Sequence, residues 1–150
     1  SRAPGPRATP PMLIADTGFF YALADRSDRH HARACAVLAE LREPLVTTWP
    51  VLTETTHLMT RRLGPAVSTR FLANLADGFC AVHAIEPALL RRIGELMQRY
   101  ADLPMDLADA SLVLLAESIG SGRILSTDRR DFGAYRFKNQ HPFTNVLLVD

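Results

Sequence analysis

Lysine is nearly missing from this chain. Of seventeen basic residues sixteen are Arg, and the sole lysine is Lys138, in a polar loop. A phosphoryl-receiver domain needs a lysine near a strand end, so that chemistry lacks a well-placed cation. Cysteine is scarce too: Cys35 and Cys80 form no Cys-x-x-Cys pair, which leaves no disulfide framework or paired-cysteine redox motif. Both lie in apolar stretches, where a free thiol behaves as a small hydrophobe, and a reduced, cytoplasmic setting is the expectation. No apolar run approaches the ~20 residues that cross a bilayer, and nothing resembles the apolar core of a signal peptide, so no membrane partner is expected. A formal net charge of +1 is not the strong basicity of a protein that coats nucleic acid. The Arg bias itself is better explained by a GC-rich genome than by phosphate binding, although Arg suits that role.

What remains is 150 residues, 47% hydrophobic, with no repeat, low-complexity tract or shift in composition. That is enough for one sizeable core and one domain. Residues 1–11 carry four prolines and little to bury, and read as a flexible N-terminal extension; the domain is residues 12–150. Short apolar runs then alternate with longer helical patterns, which indicates an α/β fold. Strands are expected at Met12 to Asp16, Leu45 to Thr48, Phe79 to Ile85, Arg123 to Thr127 and Asn145 to Val149. Ser27-Asp28 is the expected cap of a helix reaching about Glu43, with Ala34, Val37, Leu38 and Leu41 on its core face. Pro50 fits the first turn of a helix to about Leu63, Pro65 to Ala76 forms another, and Glu86-Pro87 starts a third that reaches about Ala101. Asp106 caps a late helix that stops at Gly120-Ser121-Gly122.

Four acids recur where such elements end or pass one another. Asp16 closes the first strand, Glu54 lies one turn into the helix after the second, Asp109 opens the late helix, and Asp128 follows the fourth strand. In one parallel sheet all four can meet at the strands' carboxyl ends, where open α/β sheets place their ligands. Carboxylates forced together repel and hold protons more tightly unless a cation keeps them ionised, so a divalent metal site is the sharp expectation.

Asp16-Thr17 closing a strand, Thr53-Glu54, Asp109-Ala110-Ser111-Leu112 and Ser126-Thr127-Asp128-Arg129-Arg130-Asp131-Phe132 together resemble the PIN domain. More narrowly they resemble a VapC-type toxin of a bacterial toxin–antitoxin pair. The resemblance spans about Met12 to Asp150 and rests on order and spacing, each motif alone being short. It implies a three-layer α/β/α sandwich with a mainly parallel sheet. It also implies Mg²⁺ or Mn²⁺, and an endoribonuclease that hydrolyses RNA phosphodiester bonds with metal-activated water. By the same resemblance the partners are a cognate antitoxin, the RNA substrate and a second copy of the chain in a homodimer. Asp16 and Asp109 are then expected to bind metal most directly, with Glu54 and Asp128 acting directly or through water. Ser126 and Thr127 are accessory donors, Asp106 and Asp131 extra carboxylates, and Arg129, Arg130, Arg136 and Lys138 a weak RNA-tracking set.

Each residue also has a plainer role. Asp16 and Asp128 can simply cap turns, Asp106 and Asp109 can form a helix start, and Glu54 can be solvated. Four coincidences in the family's order outweigh those readings taken singly. Asp131 remains more a cap than a ligand, and Asp106 stands evenly between the two. His30-His31 and His57 read as surface or packing residues, since no zinc motif accompanies them. Trp49 and the Phe19-Phe20-Tyr21 run are expected in core or interface rather than as base-stacking platforms. Val51-Leu52, Leu58-Met59 and Phe71-Leu72 with Leu75 are core first and docking grooves second. The alternative functions are a non-catalytic PIN-like RNA-binding or regulatory module and, further off, a phosphatase or phosphoryl receiver. Asp16-Thr17-Gly18 lacks the second acid of an Asp-x-Asp nucleophile loop.

Overall fold

A computed structural model describes residues 11–149; of the expected flexible extension only Pro11 lies within the described residues. In chain order the elements are β1 (Leu13–Ala15), α1 (Thr17–Ala24), α2 (His31–Glu40), β2 (Leu45–Thr48), α3 (Trp49–Leu63), α4 (Pro65–Ala76) and β3 (Ala81–His83). A 3₁₀ turn at Pro87–Leu89 leads into α5 (Leu90–Arg99), followed by α6 (Leu107–Ile119), β4 (Arg123–Leu125) and α7 (Arg129–Ala134). The short strands β5 (Arg136–Phe137), β6 (His141–Pro142) and β7 (Thr144–Asn145) complete the set. Five strands form a wholly parallel sheet in the order β3-β2-β1-β4-β7, and β5 and β6 pair separately as an antiparallel hairpin.

Leu13, Ile14 and Ala15 point alternately to opposite faces of the sheet, yet all three have no exposed surface. Both faces are therefore covered by helices, as the α/β/α sandwich requires. The chain passes from β1 to β2 on one side, while β4 returns to the other side of β1. This reversal of strand order leaves a crevice between the carboxyl ends of β1 and β4. Ile14 faces Ile124 and Ala15 faces Leu125, which sets Asp16 opposite the first residue beyond β4.

Most boundaries follow local signals. Pro50 sits in the first turn of α3, and Gly64, at φ 98°, closes it. Gly120 ends α6 in the left-handed conformation. The expected cap of α2 is corrected: Asp28 accepts from the His30 N–H in a turn before the helix, which begins only at His31. That helix ends at Glu40 rather than Glu43, where Leu41 turns extended. β1, β3, β4 and β7 are shorter than their apolar runs, because pairing stops where a neighbouring strand ends. The expected last strand at Asn145 to Val149 is instead Thr144–Asn145, and the β5–β6 hairpin was not foreseen. One burial expectation is also corrected, for Cys35, and the core-or-interface expectation for Trp49 loses its core alternative. Cys35 is exposed on α2, though Cys80 is buried, and Trp49 is 62% exposed while Phe19, Phe20 and Tyr21 are in the core.

Candidate active site

Asp16 stands at the centre of the crevice, 8% exposed, as the N-cap of α1. Its Oδ1 accepts the Thr17 N–H at 2.8 Å, and its Oδ2 accepts the Ser126 hydroxyl at 2.9 Å. Ser126, wholly buried just past β4, in turn accepts the Asp128 N–H at 3.0 Å. One hydroxyl thus ties together two of the four acids, across a sequence gap that only the β1–β4 register closes. Asn145 holds the same turn from the far side, donating to the Ser126 carbonyl at 2.9 Å.

Gly18 is required for this approach. A Cβ placed there would lie 1.8 Å from the Thr127 Oγ1, so the first turn of α1 can reach the loop after β4 only without a side chain. Thr127 accordingly serves packing against α1.

Asp106 and Asp109 form the capping box of α6: the Asp109 N–H donates to Asp106 Oδ1 at 2.8 Å, and the Asp106 N–H to Asp109 Oδ2 at 3.3 Å. The buried Tyr135 hydroxyl also donates to Asp109 Oδ2, at 3.3 Å. Asp128 caps α7 by accepting the Asp131 N–H at 2.9 Å. The capping roles are therefore real, and they fix the carboxylates in place rather than competing with a role in the site. Glu54 lies half-buried on α3, in a recess it shares with Asp106 and His57.

The electrostatics show that these acids feel one another. Burial pushes Asp16 up to about 6, and Glu54 and Asp128 push in the same direction against the lowering bonds from Thr17 and Ser126. Burial, then Asp106 and Asp16, raise Asp109 to about 8. Glu54 is raised by burial and by Asp106, with the Thr17 hydroxyl pulling the other way. Asp131 is pushed up to about 6 by burial and by Asp128. The Tyr135 phenol is held neutral by its own burial and by Asp109, Asp131 and Asp128. All four expected acids and both accessory ones belong to this single network.

The donor set is all oxygen, which suits a hard divalent cation. Among the described residues, however, no three His, Cys, Asp or Glu side chains form a ready-made metal cage. Mg²⁺ takes only one or two carboxylates directly and retains waters, so a crevice of repelling, part-protonated acids still fits it.

The basic set divides. Arg129 and Arg130 are exposed in the first turn of α7, beside Asp128. Arg136 is committed elsewhere, because its guanidinium donates to the carbonyls of Gly133, Ala134 and Tyr135 at the end of α7. Lys138 lies in the β5–β6 turn with its N–H on Glu117, eight residues along α6 from Asp109. That separation is roughly 12 Å along the helix axis, so Lys138 is not part of the acidic crevice. Sequence reasoning missed Tyr135, Asn145 and Gly18. The only available signal was Gly18 following Asp16-Thr17, since the other two act through contacts remote in the chain.

Comparison with known proteins bears on family and fold. The PIN domain family matches residues 13–138. The Mycobacterium tuberculosis protein described as Ribonuclease VapC26 is 28% identical over 124 residues, covering 83% of this chain and 92% of its own. The crystal structure of Mycobacterium tuberculosis VapC20, described as a sarcin–ricin loop cleaving toxin, superimposes with a TM-score of 0.76. That likeness is one of fold, at 24% identity over 87% of this chain and 99% of VapC20.

Proposed function

The chain belongs to the PIN domain family, and from that premise we propose that it is a metal-dependent endoribonuclease acting as the toxin of a toxin–antitoxin pair. The observation that carries the reading is the tie between Asp16, Ser126 and Asp128 at the reversal of strand order, with burial, Asp106 and then Asp16 raising Asp109 beside them. Repelling carboxylates gathered in a crevice cost stability, and a protein gains from that arrangement when the charge is used. The resemblance to Ribonuclease VapC26 over 83% of the chain supports RNA as the substrate.

In this reading Asp16 and Asp109 hold Mg²⁺ or Mn²⁺ most directly, and Glu54 and Asp128 orient its waters. The ion supplies Lewis acidity toward the attacking water and the departing 3′ oxygen. Ser126 keeps Asp16 and Asp128 at a fixed spacing. The capping box keeps Asp109 on the first turn of α6, and Tyr135 restrains its Oδ2. Arg129 and Arg130 offer charge to the RNA backbone beside Asp128.

The partner in this reading is a cognate antitoxin, and the chain pairs with itself. A groove of about 580 Å³ between the first four helices supports the antitoxin contact, with Phe20, Met59, Phe71 and Phe79 in its floor and Arg26 and Arg70 at its rim. Among the described residues no helix is long and apolar enough to cross a membrane.

The test is purified protein with total RNA, with and without EDTA, and mapping of the new ends. Chelator-sensitive cleavage at defined sites is the expected result. RNA that is bound but never cut would favour the non-catalytic module, and turnover of a small phosphoester without RNA cleavage would favour a phosphatase. Expression alone should also arrest growth and be relieved by the antitoxin; harmless expression of the unaltered chain would remove the toxin assignment.

A further inference from the structure

Three large apolar side chains gather outside the core: Trp49 opening α3, Leu90 opening α5 and Leu107 opening α6, with 62%, 64% and 48% of their surface exposed. Together with Pro50, His83 and Ile85 they line a largely apolar recess of about 290 Å³. Trp49, Pro50 and Leu107 also form one wall of the adjoining recess that holds Glu54 and Asp106. The indole therefore stands between an apolar slot and the recess of Glu54 and Asp106. Along the same exposed face of α3, Thr53 and His57 follow Trp49 at intervals of four residues. At about 6 Å per step this lines up a ring, a hydroxyl and an imidazole beside the acids.

Resting on the reading of the acids as an RNA-cleaving centre, we infer that Trp49 is the stacking platform for a nucleobase flanking the scissile phosphate, and that the apolar slot receives that base. RNA is recognised chiefly through unstacked bases laid on aromatic rings, a contact that tolerates any base because each has a π face. His83 and Glu86 also line the slot, and their polar ends suit the rim of a base. A second copy of this chain seated there would cover the recess that gives the strand access to Glu54. These features favour a base over a protein surface.

Trp49 is the chain's single tryptophan, so its fluorescence reports on this site alone. A short single-stranded RNA of mixed sequence, titrated into the Asp109→Asn variant to keep the strand intact, should quench that emission saturably. Trp49→Ala should lower kcat/KM for RNA cleavage by roughly 5- to 150-fold, mainly through KM, and Trp49→Phe should recover part of the loss. Circular dichroism and melting should barely change, as the side chain is mostly outside the core.

If the unaltered protein cuts RNA while Trp49→Ala cuts equally well and bound RNA leaves the emission unchanged, the inference is overturned. Emission that changes with protein concentration but not with RNA, together with loss of dimer in Trp49→Ala by sedimentation, would overturn it in favour of a self-association surface. Failure of the unaltered protein to bind or cut any RNA would instead sink the ribonuclease reading on which the inference stands.

Discussion

Replacing Asp16 by Asn should make the metal-free protein more stable while abolishing its activity. Asp16 is buried and holds its proton up to about pH 6, against about 3.9 for a solvated Asp. Between those two pH values the native state keeps a proton that the unfolded chain has released, so stability falls as pH rises through this window and stays lower above it. At 1.36 kcal/mol per pH unit, a rise of roughly two corresponds to about 3 kcal/mol at neutral pH. Asn removes the charge with little change of shape. Its oxygen can still accept the Thr17 N–H, but its amide can no longer accept the Ser126 hydroxyl, and that mismatch returns about 1 kcal/mol. The net gain is about 2 kcal/mol, or roughly 4–8 °C in Tm for a chain of this size. The assay is thermal unfolding in EDTA from pH 4 to pH 8. The Asn variant should melt roughly 2–4 °C lower at pH 4, where only the lost Ser126 bond counts, and higher than the unaltered protein at pH 7.5. Mg²⁺ should then raise the Tm of the unaltered protein by mass action and have less effect on Asp16→Asn. An Asn variant that melts at or below the unaltered protein at pH 7.5 in EDTA would refute the claim that Asp16 is held ionised against a burial cost.

Asp109→Asn should likewise abolish RNA cleavage while the circular dichroism spectrum is retained, because an amide oxygen can still complete the capping box; undiminished cleavage would remove Asp109 from the mechanism. Ser126→Ala removes a bond that lowers the Asp16 pKa, so the acid limb of the cleavage pH profile should move to higher pH, as measured by initial rates across pH 5–8. Gly18→Ala should destabilise by about 1–3 kcal/mol in urea unfolding, because its new Cβ meets Thr127. Adding Thr127→Gly should restore most of that loss, and no recovery would mean that the clash was relieved elsewhere. Arg136→Ala should leave RNA affinity nearly unchanged in a salt-dependent binding assay, since its guanidinium is engaged with the end of α7.

Much of this protein is determined locally and is legible along the chain. Pro50 and Gly64 bound α3, Asp106 and Asp109 cap α6, and the apolar run at Leu45 to Thr48 is β2 to the residue. Each depends on neighbours a few positions away, so the family motifs and the four acids could be recognised in the sequence. Local pattern failed where partners are remote. In sequence Trp49 reads equally as core or interface, because its exposure depends on how the starts of α3, α5 and α6 lie relative to one another. Arg136 is a different case, because its carbonyl partners lie only one to three residues back, and it is the chain's path out of α7 that turns the guanidinium onto them. The tie between Asp16 and Ser126 joins residues 110 positions apart, and exists because β4 pairs beside β1 in one register. Sheet order and register are settled by burying apolar faces over the whole domain, and no short window of sequence contains that sum.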